Sequence, residues 1–496
     1  MADPMQIVFL MTDTQRPDML GCYGHEAMRT PHLDRLAAQG VRFNHAYCCQ
    51  PVCGPARVGL FTGLWPHSAG GWGNLQAIGD NVKTIGQRFR DQGFQTGYMG
   101  KWHLDGSDYF GLGRCPDGWN ADYWYDMRNY LEELSPEDRV RSRRTATNQD
   151  PDLTAEFCYG HRVSNRAIRF LEEYTDSSFL LCVSYDEPHG PFLCPEPYAS
   201  MYRGYDYPPS PNLADTLEDK PELQRIWAGQ RLGQDPPARR RFPAFLGCNS
   251  FVDAEIGRVL AAIDQFAPNA LVVYTADHGD ALGAHRLNGK GPAMYDEIAR
   301  VPFMVRWPGH VPPTEVCDQP ISHIDLVPTL MEAAGLAVPR SLEGRSMLGT
   351  WQDPRQATRD TVFIEFGRYE VDHDGFGGLQ LVRCAFDGRY KLSVNLLDTD
   401  ELYDLGTDPH EMVNLINSAD HADQRDRLHD ALLDWMNDTR DPFRGYQWQR
   451  RPWRIDAPRP TWAVDGWTRQ RENEEYEPRQ LDYDTGMPMV EAARRK

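Results

Sequence analysis

Gln6-Ile7-Val8-Phe9-Leu10-Met11-Thr12-Asp13 is a strand-like apolar run that closes on a carboxylate. Similar runs recur at Phe94 to Met99, Phe179 to Tyr185, Ala270 to Thr275 and Val301 to Arg306. Helical patterns alternate with them: Val82 to Asp91, stopped at Gly93; Ala155 to Glu173; and Phe251 to Asp264, with Val252, Ile256, Val259 and Ile263 on one face. That alternation predicts an α/β domain with a mostly parallel sheet flanked by helices.

The first four runs are each followed closely by polar residues that a plain connection does not require. Asp13 follows the first, Lys101 and His103 the second, His189 the third, Asp277 and His278 the fourth. In an open α/β sheet the ligand crevice lies outside the carboxyl ends of the strands, so these groups are expected on one side of the molecule. Asp13, Asp277 and His278 are oxygen and nitrogen donors of the kind that hold a divalent cation.

Between the first two runs lies Cys53-Gly54-Pro55-Ala56-Arg57. A Cys just before a Pro-initiated helix sits beside the positive end of the helix dipole, and Arg57 follows one turn later. A structural thiol needs neither.

Composition narrows the function classes. The chain of 496 residues is 41% apolar and 11% aromatic, enough for a packed core and for more than one domain. A formal net charge of −20 argues against a sequence-independent grip on nucleic acid or on an anionic membrane, so an anionic substrate has to be met by local positive charge. No apolar stretch of ~18 residues is present, and the start, Met-Ala-Asp-Pro-Met, has no basic leader. A cytoplasmic protein is expected. The eleven cysteines lack C-x-x-C spacing and suggest neither a zinc knuckle nor a disulfide framework.

Near Thr361 the texture changes. Strand-like Thr361 to Phe366, then Leu379 to Ala385 and Arg389 to Asn395 joined through Asp387-Gly388, precede an amphipathic helical pattern from Ala422 to Met436. The expected division is a catalytic α/β domain over 1–358, a smaller antiparallel α+β domain over 359–440, and a tail over 441–496 carrying Trp448, Trp453, Trp462 and Trp467. Such an aromatic tail is expected to lie on the body or on a neighbouring subunit of a homo-oligomer.

The Cys53 motif resembles that of the type I sulfatases of the alkaline phosphatase superfamily, in which C-x-P-[SA]-R directs conversion of the Cys to formylglycine. Further stretches fall in family order: Thr12-Asp13-Thr14-Gln15-Arg16-Pro17-Asp18, Gly100-Lys101-Trp102-His103, Pro188-His189-Gly190-Pro191, Asp277-His278-Gly279 with Gly289-Lys290, then Ser322 to Thr329 and Glu401 to Leu405. The resemblance implies an alkaline-phosphatase-like fold and a sulfatase acting on aryl or carbohydrate sulfate esters. It implies that Asp13, Asp277 and His278 bind one divalent metal together with the modified residue 53. Arg57 would orient the formylglycine hydrate, Lys101 and Lys290 would hold the sulfuryl oxygens, His103 would support a hydroxyl of the hydrate, and His189 would protonate the leaving alcohol. A formylglycine-generating maturation enzyme is then a partner of the chain.

One position departs from that pattern: many sulfatases have two adjacent Asp after the first strand, whereas Thr14 follows Asp13 here. One hard anionic ligand fewer admits manganese beside calcium. The same feature, with His278 in the second metal pair, resembles the phosphonate monoester hydrolases, which is the alternative reading; Lys101-Trp102-His103 favours sulfate. A reading of another class is an anion-binding protein that keeps Cys53 as a thiol. Asn74, Thr14, and the loop from Tyr369 to Gly378 with Tyr369 and His373 are candidate substrate contacts.

Overall fold

The computed structural model describes residues 4–79, 81–106, 109–205, 207–208, 210–229, 237–371, 378–457 and 486–487, without the side chains of 237–241. Thirteen strands are present among them, in two sheets. The first contains β1 (Gln6–Thr12), β2 (Val41–Tyr47), β3 (Gln95–Gly100), β4 (Trp124–Tyr125), β5 (Phe179–Ser184), β6 (Leu271–Ala276), β7 (Arg300–Arg306), β8 (Glu315–Cys317) and β9 (Ile321–Ser322). Its order is β4-β3-β5-β1-β6-β7-β2-β8, with β9 also on β2. The pairs β3/β5, β5/β1 and β1/β6 are parallel, whereas β7 is antiparallel to both neighbours. Two reversals restore direction, so β2 runs the same way as β1 and its carboxyl end reaches the same side of the sheet.

Burial on both faces explains why β1 is an unbroken apolar run. Ile7, Phe9 and Met11 pack on one face with Ala56, Val58, Phe61, Phe89 and Leu330, while Val8 and Leu10 pack on the other with Leu33, Val163, Val252 and Ile256. Those two sets come from the helices Cys53–Thr62, Ile85–Arg90 and Leu326–Ala333 on one side, and Pro31–Ala38, Tyr159–Glu173 and Pro237–Phe266 on the other. The expected helix over 155–173 breaks at extended Cys158 into a 3-10 turn, Ala155–Phe157, and the helix proper. The one expected at Val82 begins at Ile85, where Thr84 and Gln87 form a capping box. The third expected helix is the C-terminal half of a longer one that ends at Phe266.

At the end of β3 the chain needs glycine. Gly100 has φ +121°, and a Cβ there would lie 1.8 Å from the Ser184 carbonyl oxygen. The close approach lets the Lys101 N–H donate to that carbonyl at 2.8 Å, which sets where the lysine leaves the sheet.

The second sheet is an antiparallel meander of β10 (Val362–Arg368), β11 (Leu379–Phe386), β12 (Tyr390–Asn395) and β13 (Glu401–Asp404), covered by the helix Ala422–Asp438. The Asp387-Gly388 turn joins β11 to β12 with Gly388 at φ +97°. Leu392, Val394, Leu402, Leu428, Leu432, Trp435 and Trp448 form its core, which also takes in Trp65 and Ile324 of the larger unit. Buried Lys391 ties the two units, reaching Asp296 at 2.5 Å and Glu411 at 2.9 Å. The indole N–H of Trp453 donates to Asp400 at 2.8 Å. The expected tail beyond 457, with Trp462 and Trp467, lies outside the described residues except for 486–487. Among the described residues no helix is long and apolar enough to cross a membrane.

Candidate active site

Cys53 opens a helix that is buried along its whole length, Cys53–Thr62. The cap residue Val52 has no side chain to satisfy the open N–H groups of the first turn, and Asn74 does so from another loop: its Oδ1 accepts from the Gly54 N–H at 2.9 Å. Asn74 therefore fixes the start of the helix and the direction of the Cys53 side chain. The thiol lies 2.6 Å from Lys290 Nζ, 3.1 Å from His278 Nε2, 3.8 Å from Asp13 Oδ1 and 3.9 Å from Lys101 Nζ. Burial and Asp13 push it up; Lys101, Lys290 and His278 outweigh them and hold it well below the ordinary thiol value.

Asp13, Cys53, Asp277 and His278 present ligand atoms that all lie within 4.8 Å of one another, and all four residues are buried. His278 Nδ1 donates to the Gly279 carbonyl at 2.7 Å, which leaves Nε2 facing the cluster. Burial and the charge of Asp13 push Asp277 up to about 7, against His278 and Arg57. Burial pushes Asp13 up too, but Lys101, His189, Lys290 and His278 override it and hold Asp13 well below the usual carboxylate range. Two carboxylates, an imidazole nitrogen and residue 53 in a dry site, with the second carboxylate resisting ionisation, are a donor set that a divalent cation suits.

Arg57 and Thr14 keep the carboxylates in place. Arg57 is fully buried; its Nε donates to Asp277 Oδ2 at 3.1 Å, its Nη2 to Asp13 Oδ2 at 3.2 Å, and its Nη1 to the Lys101 carbonyl at 2.6 Å and Ser184 Oγ at 2.8 Å. Among its described contacts the guanidinium bonds to the carboxylates around residue 53. The Thr14 hydroxyl donates to Asp13 Oδ1 at 2.6 Å and its N–H to Asp277 Oδ1 at 3.1 Å, from a left-handed backbone at φ +63°. That threonine bonds to both carboxylates.

Lys101, His103 and His189 stand near the same cluster. Lys101 Nζ is 2.7 Å from Asp13 Oδ2 and 3.2 Å from Asp186 Oδ1. His103, at φ +60°, lies against Cys53; burial holds its imidazole below the ordinary value, and its Nδ1 has no hydrogen-bond partner among the described residues. His189 Nδ1 is 2.9 Å from the Gly190 carbonyl and 3.1 Å from Tyr109 Oη. Tyr369 lies within electrostatic reach of Lys290 and Cys53, and its carbonyl accepts from the Asn74 N–H at 2.8 Å. His373 falls outside the described residues. Ser184, Asp186 and Tyr109 belong to the site as well and are absent from the expected set. The first two obey the strand-end rule on β5, whereas an aromatic in the loop after β3 carries no sequence signal.

Comparisons with known proteins bear on the family and the fold. Residues 6–336 match the sulfatase family model, and residues 283–438 match that of the C-terminal region of N-sulphoglucosamine sulphohydrolase. The chain belongs to the sulfatase family, whose members are sulfuric ester hydrolases that generally use a metal and formylglycine. It is 47% identical over 492 residues to the uncharacterized sulfatase YidJ of Escherichia coli, covering 97% of this chain and 96% of that one. It is 27% identical over 460 residues to an arylsulfatase of Clostridium perfringens, covering 86% and 93%. Among solved structures, the phosphonate monoester hydrolase of Agrobacterium radiobacter superposes with a TM-score of 0.73 at 23% identity, over 88% of this chain and 96% of that one. A structure solved with D-glucosamine-2-N,6-O-disulfate as its substrate superposes with a TM-score of 0.74 at 20% identity, over 90% and 100%. At such identities the two superpositions speak for the fold, which is the alkaline-phosphatase-like one expected.

Proposed function

We propose that the protein hydrolyses sulfate monoesters of carbohydrate or aryl alcohols at residue 53, with Cys53 converted to formylglycine and one divalent ion, calcium or manganese, held by Asp13, Asp277, His278 and residue 53. The observation that carries this reading is the placement of Lys101 and Lys290 on Cys53, with His103 against it and the cation ligands behind it. A bound divalent ion supplies positive charge against the sulfuryl oxygens and favours ionisation of the hydrate. Hydrated formylglycine supplies a geminal diol: one oxygen can attack sulfur, and the other can later expel sulfate by re-forming the aldehyde.

The chain's own residues supply the rest. Lys101 and Lys290 face the thiol position from two sides, so a tetrahedral anion there meets two ammonium groups as negative charge builds on the departing oxygen. Arg57 and Thr14 hold the two carboxylates, and through them the ligand set, in one arrangement. His189 Nδ1 must carry its proton, because the Gly190 carbonyl can only accept. Its Nε2 is then the atom that can protonate the leaving oxygen. Burial, Lys101 and Lys290 hold the His189 imidazole below its ordinary value, and a bound sulfate monoanion raises it again by supplying an opposite charge. Because the helix Cys53–Thr62 is wholly buried, the maturation enzyme has to meet Cys53 before the chain folds. That none of the other ten cysteines is paired in a disulfide suits a reducing, cytoplasmic setting.

Hydrolysis of phosphonate monoesters and phosphodiesters is the second reading, favoured by Thr14 beside Asp13 and by the superposition on the phosphonate monoester hydrolase. Matched phenyl sulfate and phenyl phosphonate esters separate the two. The expected result is a higher kcat/KM on the sulfate by ~10-fold or more, since each factor of ten needs only ~1.4 kcal/mol of differential transition-state binding. A preference of that size for the phosphonate overturns the sulfatase assignment.

A further inference from the structure

Tyr109 touches three of the residues placed at the reacting centre. Its ring lies under Lys101 Nζ at 3.9 Å, edge-on to the His103 ring at 5.6 Å and tilted against the His189 ring at 5.4 Å. Its hydroxyl is 2.5 Å from Asp186 Oδ1 and 3.1 Å from His189 Nδ1. Asp186 is 5% exposed and also faces Lys101 at 3.2 Å. Arg143 covers the outer side of the tyrosine, 5.6 Å from its centroid.

The proton assignments in this chain follow from chemistry. An ionised carboxylate only accepts, so the Tyr109 O–H donates to Asp186, and the phenol oxygen is left to accept. His189 Nδ1–H then points at two acceptors, the Gly190 carbonyl and Tyr109 Oη. Rotation of the half-buried imidazole would lose both contacts and leave the Nδ1–H without either acceptor.

We propose that Tyr109 and Asp186 are a positioning pair for the acid step, fixing the His189 ring with Nδ1 protonated and Nε2 toward the leaving oxygen, while Asp186 with Asp13 sets the place of Lys101. This rests on the reading above, in which His189 protonates the leaving alcohol. The pair acts in proportion to the basicity of the alcohol: a phenolate with electron-withdrawing groups departs without help, whereas a sugar alkoxide does not. A relay devoted to the acid therefore points to unactivated alkyl sulfates, the class of carbohydrate sulfates, over aryl sulfates as the substrates for which the site is built.

The test is Tyr109→Phe, which keeps the ring and removes only the hydroxyl, assayed on a sugar sulfate and on 4-nitrophenyl sulfate. On the sugar ester kcat is expected to fall ~10- to 100-fold, part of the full effect of a general acid, with KM changed less than ~3-fold. The loss on the nitrophenyl ester is expected to be at least ~10-fold smaller. In a His189→Ala background Tyr109→Phe is expected to remove nothing more on the sugar ester, as for two residues acting in one step. Equal losses on both esters, an undiminished rate on the sugar ester, or a full further loss in the His189→Ala background would overturn the proposal. Asp186→Asn, of unchanged shape, is expected to lower turnover of both esters, because Lys101 loses a carboxylate; a wild-type rate on both overturns its part. If the wild-type enzyme cleaves only phosphonates, the sulfatase reading fails, and the same ratio measured on alkyl and aryl phosphonates decides the pair separately.

Discussion

Cys53→Ala is expected to remove turnover of every ester while leaving a folded protein, with a loss on the order of 10⁴-fold or more, as for other single-residue nucleophile deletions. Relative to the unconverted chain, the substitution deletes one buried sulfur at the start of a helix whose Gly54 N–H is held by Asn74 and whose residues are all buried, so the stability cost is about 1 kcal/mol. Lys101, Lys290, Arg57 and the carboxylates remain, and an anion can still enter. What is lost is the only position among the described residues that two lysine ammonium groups and His278 approach together. Steady-state assays with a thermal melt as the folding control make the comparison. Unchanged activity in a folded variant would remove residue 53 from the chemistry.

The second large effect is expected at His189. Truncation to alanine takes away the proton donor for the leaving oxygen, and general acid catalysis accounts for ~10²- to 10⁴-fold. The whole of that loss is expected on alkyl and sugar sulfates, and a small fraction of it on a nitrophenyl ester, whose phenolate departs unaided. Plotting log kcat against the pKa of the alcohol is the check: the variant should show a steeper slope than the wild type. Parallel lines would place His189 in binding or structure and would hand the acid role to another group.

Much of this site was legible because it follows from strand burial. β1, β3, β5 and β6 are covered on both faces, so each appears as an apolar run, and the polar residue that ends it stands out: Asp13, Lys101, His189 and Asp277 with His278. β2 escaped the same reading. Arg42, Asn44 and His45 interrupt it, because its outer part is only half covered, and its place in the sheet depends on two antiparallel pairings that no local pattern announces. Lys290 lies fourteen residues past Ala276, the end of β6, and reaches the crevice by a return of the loop in which the Ala281 N–H donates to the Gly289 carbonyl at 2.8 Å and the Gly289 N–H to Asp280 Oδ1 at 2.9 Å. Only the resemblance, not the periodicity, pointed to it. Asp186 obeys the strand-end rule as well as His189 does, yet in Tyr185-Asp186-Glu187-Pro188 it is indistinguishable from a turn residue. Asn74 and Thr14 have protein contacts that residue type alone does not announce: Asn74 Oδ1 accepts from the Gly54 N–H, and Thr14 donates to Asp13 and Asp277.

The central claim is that residue 53 works as an aldehyde and not as a thiol. The most direct measurement is mass spectrometry of the peptide from Phe43 to Arg57, on protein produced in a host that makes formylglycine, with turnover measured on the same preparation. The account predicts a peptide lighter by the difference between a thiol side chain and an aldehyde, and specific activity proportional to the converted fraction. Full activity in protein whose Cys53 is entirely an unmodified thiol would contradict it.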